Sequence, residues 1–360
     1  MGKQSNFTPV TDQKRHRAAH RGAEMSRATV RNSNMSTTSK VLLVAGPGRS
    51  GTTLLTIMLS SHPSITIAHE IGFLPDLMIK YGHRGKLGRT GMKWLRRRVK
   101  RDVKFKSLKT DMREFADRLE CYSLDVTVRD VGIDFLDAYA NAVGGGREWI
   151  GHKKNYLKIW KKMKKVFPEA RLITIFRDPR DTSWSAARKL PGQNLISAAR
   201  AWSERAKNAE RFAMAYPGEY LEIKYENLVV DAEAECRRIC EFLGVPFSEK
   251  MLEYHWENDK HQLIPKGAEE LHSRTSEPVN AARVGTWQNE MPDKDVALVE
   301  YITGLWMSRR GYAKANAFSG RPFPERVAVM VRAHAGLVIM FLKRKGRTVA
   351  RLLGIRRSPK

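Results

Sequence analysis

Cysteine is scarce in this chain: three in 360 residues, Cys121, Cys236 and Cys240. Their number is odd and their spacing fits no zinc or disulfide framework. Reduced, buried thiols are expected, and with them a reducing, cytoplasmic setting. Long apolar runs are missing too. Residues 41–59 are interrupted by Gly, Pro and Arg, and no stretch reaches the roughly 20 residues of a bilayer span. The first residues lack the apolar segment of a signal peptide. The expectation is a soluble chain, at most peripheral at the inner membrane face. No Asp, Glu or His grouping is spaced to hold a metal, so none is expected. Acid is short relative to base, 38 Asp and Glu against 65 Lys and Arg, which leaves a net charge of +27. Such a field draws polyanions: nucleotides, acidic glycans, anionic lipid or nucleic acid.

What is present is a 42% hydrophobic fraction, ordinary for a globular protein and enough for one large domain. Residues 1–39 are polar and basic and are expected to form a disordered tail. Short apolar runs at 41–45, 65–68, 149–153, 171–176 and 220–224 read as buried strands, separated by helical patterns. Strand alternating with helix indicates a P-loop-type parallel sheet covered by helices on both faces, an α/β fold. A single domain is expected over 40–318, with a helical, basic insertion at 75–148. Between Lys80 and Lys109 there are thirteen Lys or Arg and a single acid, Asp102. Residues 319–360 are expected to form a basic amphipathic tail, with an apolar helix at 327–342.

Two segments carry the chemistry. Gly46-Pro47-Gly48-Arg49-Ser50-Gly51-Thr52-Thr53 joins the first strand to a helix. A glycine-rich turn there aims successive N–H groups at a phosphate, and the helix N-terminus adds a favourable field. A nucleoside triphosphatase needs lysine where Thr52 stands, so an ATPase or kinase is disfavoured. Arg177-Asp178-Pro179-Arg180-Asp181 follows another buried strand, and Ser185 lies eight residues past Arg177. A guanidinium can fork onto a phosphate while a hydroxyl donates to it.

In this arrangement the chain resembles the sulfotransferases that use 3′-phosphoadenosine 5′-phosphosulfate (PAPS), closest to their tyrosylprotein and bacterial branches. The loop Arg49-Ser50-Gly51-Thr52-Thr53, followed by His62-Pro63, matches the family's 5′-phosphosulfate loop. Arg177 and Ser185 match its 3′-phosphate pair. The resemblance covers roughly residues 40–310 and implies several roles. Gly48, Arg49, Ser50, Gly51, Thr52, Thr53, Arg177 and Ser185 would hold the donor. Glu70, just past the second strand, would be the base; the alternative is a surface glutamate in a turn, and His69 is a weaker base. Gly151-His152-Lys153 is similar to a Gly-Glu-Lys segment, with histidine replacing the glutamate and Lys154-Asn155 replacing a Thr-Pro pair, and would supply Lys153 to the donor site; the alternative is a solvent-facing lysine. Tyr225-Glu226-Asn227-Leu228 would be an adenosine-side or structural element. Arg283-Val284-Gly285-Thr286-Trp287 would close over the nucleotide through Arg283 and the backbone at Gly285. Trp202 is read as core.

The implied reaction is in-line transfer of a sulfuryl group from PAPS to an acceptor hydroxyl, without metal. The acceptor is not readable; the basic insertion suggests an anionic partner such as an acidic glycan, glycolipid or peptide, the alternative being a solvated basic face, while nucleic acid is disfavoured. The rivals are a P-loop phosphotransferase and a non-enzymatic polyanion binder. For the C-terminal tail, contact with an anionic membrane and packing on the domain are both open.

Overall fold

The fold follows from the two faces of β1 (Lys40–Ala45), in a computed structural model that describes residues 39–108, 110–256, 278–315 and 318–352. Val41, Leu43 and Ala45 enter one apolar core, while Leu42 and Val44 enter a second. A strand whose alternate residues feed two cores must be covered on both sides, as parallel strands are. Four more strands complete the sheet among the described residues: β2 (Ile65–Ala68), β3 (Trp149–Lys153), β4 (Arg171–Phe176) and β5 (Tyr220–Lys224). Their order is β2-β3-β1-β4-β5 and every pairing is parallel. The expected α/β class and the strand positions hold.

All-parallel pairing brings the carboxyl ends of the strands to one edge, where ligands of open α/β sheets bind. Register aligns them: Val44 pairs with Lys153, Ala45 with Thr174, Ala68 with His152 and Phe176 with Lys224. Within two residues of these ends come Gly46, Glu70, Arg177 and Tyr225.

The helix after β1, α1 (Thr52–Ser60), is buried on nearly all sides rather than along one stripe. The 75–148 region is more helical than its composition indicates. It holds α2 (Phe73–Tyr81), α3 (Gly88–Lys100), α4 (Val103–Lys106), α5 (Arg113–Cys121) and α6 (Val128–Val143). In basic α3, Met92, Leu95 and Val99 are buried at helical spacing, so the apolar residues among the cations form a core-facing stripe. α6 begins at Val128 because Thr127 and Asp130 form a capping box. After β3 come a 3₁₀ turn (Tyr156–Lys158) and α7 (Trp160–Val166), split where Ile159 leaves helical geometry at φ −126°. Then come α8 (Pro179–Lys189), α9 (Leu195–Ala215), α10 (Tyr225–Val230), α11 (Ala232–Leu243), α12 (Trp287–Glu290), α13 (Asp293–Arg309) and α14 (Phe323–Leu352). Cys236 and Cys240 are buried free thiols in α11, whereas Cys121 is exposed. The expected disordered tail lies outside the described residues, except for its last residue, Ser39.

Candidate functional site

The loop after β1 is shaped for an anion. Gly51 caps α1 in the left-handed region (φ 89°) and offers no side-chain cap, so the first amides of the helix are left for a ligand. A Cβ on Gly51 would lie 2.6 Å from Cδ2 of Tyr225. Tyr225, the first residue after β5, therefore moulds the loop. Arg49 also has positive φ, 70°, and is the single non-glycine residue in that region among those described. Such a backbone is disfavoured for an L-residue and concentrates at functional sites.

Arg49 Nε donates to Ser185 Oγ at 3.4 Å, which joins the two anion loops 136 residues apart. Arg177 is buried beneath them, with its guanidinium 5.0 Å from the centre of the Tyr225 ring. One nitrogen of Arg177 meets Asp181 at 3.1 Å and also donates to the Arg283 carbonyl. Its Nε is buried without a partner. Burial, then Arg177 and Arg283, pull the Arg49 guanidinium below its ordinary pKa. Positive charge thus converges beyond what local carboxylates balance, and an anionic ligand fits both the charge and the orphaned donor.

Asp181 organises the late loop. It accepts from Gly285 N at 3.0 Å, Thr286 Oγ1 at 3.0 Å and Trp287 N at 2.8 Å. Its neighbour Arg180 is structural: it pairs with Asp178 and Glu300 and lies 3.7 Å over the Trp287 ring. Glu226 accepts from Asp178 N at 2.8 Å and from Tyr312 Oη at 3.0 Å, so it ties β5 to β4. Trp202 is core, as expected, but also donates to the Arg177 carbonyl at 3.0 Å.

The other end of the site lies past β2 and β3. Glu70 meets Lys154 at 2.6 Å, Lys104 at 3.1 Å and Lys153 at 4.0 Å. Burial raises its carboxyl, but the ammonium groups of Lys153, Lys154 and Lys104 outweigh that and hold it well below the usual carboxylate range. Burial, together with Lys104 and Lys154, brings Lys153 down to about 8 despite the charge of Glu70. Lys153 Nζ donates to Thr53 Oγ1 at 3.2 Å. The ammonium that the loop lacks at Thr52 thus arrives from the neighbouring strand.

His152, which replaces the family's glutamate, accepts from Ile71 N through Nε2 at 3.1 Å and meets Tyr156 Oη through Nδ1 at 2.5 Å. Burial brings its pKa down to about 3, so the ring is neutral and carries its proton on Nδ1. It fixes the turn after Glu70 and has no place in the cleft. His69 is buried. Asp102, the lone acid of the basic stretch, accepts from Gly72 N at 2.8 Å and Phe73 N at 2.6 Å and caps α4. It thereby brings Lys104 to Glu70.

These groups surround a cleft of about 920 Å³, lined by Gly48, Arg49, Thr52, Thr53, Glu70, Lys153, Arg177, Ser185, Tyr225 and Arg283. Ser50 is buried behind it, 3.4 Å from Thr182, and Gly285 meets it only through Asp181. Sequence reasoning missed Trp184, Leu190, Val229 and Tyr254, which also line the cleft. They are apolar or aromatic residues in helices or loops, and nothing local separates them from core. No group of side chains suited to a metal occurs among the described residues.

A model of the sulfotransferase family matches residues 42–249. Protein-tyrosine sulfotransferase 1 of Danio rerio is 23% identical over 328 residues, 86% of this chain and 82% of that protein. Protein-tyrosine sulfotransferase A of Caenorhabditis elegans is 24% identical over 289 residues, 76% of this chain and 68% of that protein. In fold, the chain is similar to the sulfotransferase domain from the Synechococcus PCC 7002 olefin synthase, with a TM-score of 0.57 and 19% identity over 76% of this chain and 95% of that one. The sulfotransferase domain from the curacin biosynthetic pathway gives a TM-score of 0.53 and 20% identity over 76% of this chain and 98% of that one.

Proposed function

The chain belongs to the sulfotransferase family, and from that premise we propose that it moves a sulfuryl group from PAPS to the hydroxyl of an anionic acceptor, with Glu70 as base. The observation that carries this reading is the convergence of Arg49, Arg177 and Arg283 on one cleft whose far end holds Glu70 and Lys153. PAPS supplies the activated sulfuryl group and a good phosphate leaving group. Arg177 and Ser185 hold its 3′-phosphate. Arg49, Thr52, Thr53 and the α1 amides hold the 5′ end, and Arg283 covers the nucleotide. Preorganised donors of this kind are typically worth roughly 3 kcal/mol each in a dry site.

Lys153 reaches both Thr53 and Glu70, so it faces the leaving phosphate on one side and the base on the other. Glu70 takes the proton of the acceptor hydroxyl as the bond to sulfur forms. With three ammonium groups around it, Glu70 is ionised at neutral pH but weakly basic. An anionic acceptor that draws Lys104 and Lys154 to itself would restore that basicity. This favours an acidic glycan, glycolipid or peptide over a neutral alcohol. Three cysteines without a disulfide framework favour a cytoplasmic setting.

Incubation with radiolabelled PAPS and a panel of acidic acceptors tests the reading. Transfer without added metal is expected. Magnesium-dependent ATP turnover instead would restore the phosphotransferase alternative, and nucleotide binding without turnover the polyanion binder.

A further inference from the structure

Helix α14 (Phe323–Leu352) has two apolar faces, and the domain covers one of them. Val329 and Ala333 are buried in a small core with Leu195 and Ala199 of α9 and Ala297 of α13. Gly336 lets the helices approach closely, since a Cβ there would lie 2.3 Å from Cδ1 of Ile196. Arg332 pairs with Asp295 of α13 at 2.8 Å. The helix is therefore held in one rotational setting by the domain.

That setting turns a second stripe outward. Phe323, Val327, Val331, Val338 and Leu342 are 71%, 39%, 61%, 57% and 61% exposed. At about 100° per residue they fall within an arc of roughly 100°, on the side of the helix away from Val329, Ala333 and Gly336, and His334, whose ring lies 6.1 Å from that of Tyr301, is the one polar residue among them. The stripe is roughly 28 Å long at 1.5 Å per residue. Single exposed apolar residues are ordinary, whereas an aligned row of five marks an interaction surface.

The charge beside the stripe selects its partner. After Glu325 the chain holds ten Lys or Arg and no acid. Lys343, Arg344, Lys345, Arg347 and Arg351 follow Leu342 within the same helix. A second copy of this chain would bring the same cations to the contact and be repelled, whereas an anionic lipid surface meets both features at once. Among the described residues, no helix is long and apolar enough to cross a membrane. We propose that α14 is a peripheral membrane-docking element, with its outer stripe at the acyl boundary and its basic end among anionic headgroups. This inference does not depend on the catalytic assignment.

Flotation of the full chain tests it, with vesicles of phosphatidylcholine alone and of phosphatidylcholine containing phosphatidylglycerol. The wild type is expected to float with the anionic vesicles only. The double variant Val331→Asp/Val338→Asp, whose side chains face away from the domain, should float at least about tenfold less while keeping its melting temperature. If the aspartates lower that temperature, Val327→Ser/Val331→Ser probes the same face. The proposal is overturned if the wild type stays at the bottom of the gradient, or if wild type and variants float equally. It is likewise overturned by a wild-type dimer in gel filtration that the variants lose without any flotation.

Discussion

The two ends of the cleft are built from opposite charge arrangements. At one end the guanidinium groups of Arg49, Arg177 and Arg283 gather, and a buried carboxylate, Asp181, holds Arg177 in place. At the other a single carboxylate, Glu70, stands among three ammonium groups, and one of these, Lys104, comes from the insertion. Guanidinium forks hold a fixed geometry, whereas lysine chains are flexible point charges that exchange partners readily. On the proposed function, the first end is preset for one invariant ligand, and the second can be rearranged by whatever acceptor enters. Rigidity and adaptability can thus share one sheet edge when arginine serves one role and lysine the other.

The largest expected effect breaks the rigid end alone. Arg177→Ala should weaken adenosine 3′,5′-bisphosphate by about 2–4 kcal/mol, because a phosphate loses a charged, multiply bonded partner. Adenosine 5′-phosphate should bind both proteins alike. Equal losses for the two nucleotides in calorimetry would remove Arg177 from the 3′-phosphate.

Next, Glu70→Gln should keep the affinity for the bisphosphate and slow transfer by roughly 100-fold. A wild-type rate would show that Glu70 is not the base. A third effect, about tenfold per pH unit, belongs to Lys153. Its pKa is lowered to about 8, so it is an ammonium below that pH and loses its charge as pH rises through it. Profiles of kcat/KM should therefore fall on the alkaline side. Lys153→Arg should abolish that limb. Glu70→Gln should move it to lower pH, because the charge of Glu70 is what holds the lysine up. A profile that Lys153→Arg leaves unchanged would separate Lys153 from catalysis.

The smallest effect sharpens the contrast. The Lys104–Glu70 pair is partly exposed, and such pairs are worth about 1 kcal/mol or less. Lys104→Ala should change the acceptor KM a few-fold and leave bisphosphate affinity untouched. Loss of bisphosphate affinity would mean that the two ends are coupled.

The rigid end was readable from sequence and the adaptable end only in part, for a physical reason. Gly46–Thr53 is a contiguous glycine-rich segment between a strand and a helix, so local pattern identifies it, whereas Arg177 and Ser185 are matched through the resemblance. Tyr225 and Arg283 were placed by resemblance, but the packing of Tyr225 against Gly51 depends on β5 lying beside β4, which no local pattern records. Asp102 stood out as one acid among thirteen cations, yet its role in delivering Lys104 depends on a contact with Gly72 and Phe73 across thirty residues. His152 was read as a departure from a family pattern. Its position opposite Ala68 in the sheet register makes it instead the residue that fixes the turn after Glu70.

Asp181 has a consequence for synthesis. Its bonds to Gly285, Thr286 and Trp287 join residues 104 to 106 positions apart. A ribosome delivers the amino-terminal part first, at about 5–20 residues per second. Both anion loops are therefore outside the tunnel several seconds before their latch exists. During that interval Arg49 and Arg177 lack the strap that carries Arg283, and the donor site has no cover. A chain cut short before that strap has all five described strands but lacks one side of the cleft. Connectivity alone makes the arrival of that strap the last step in assembling the cleft.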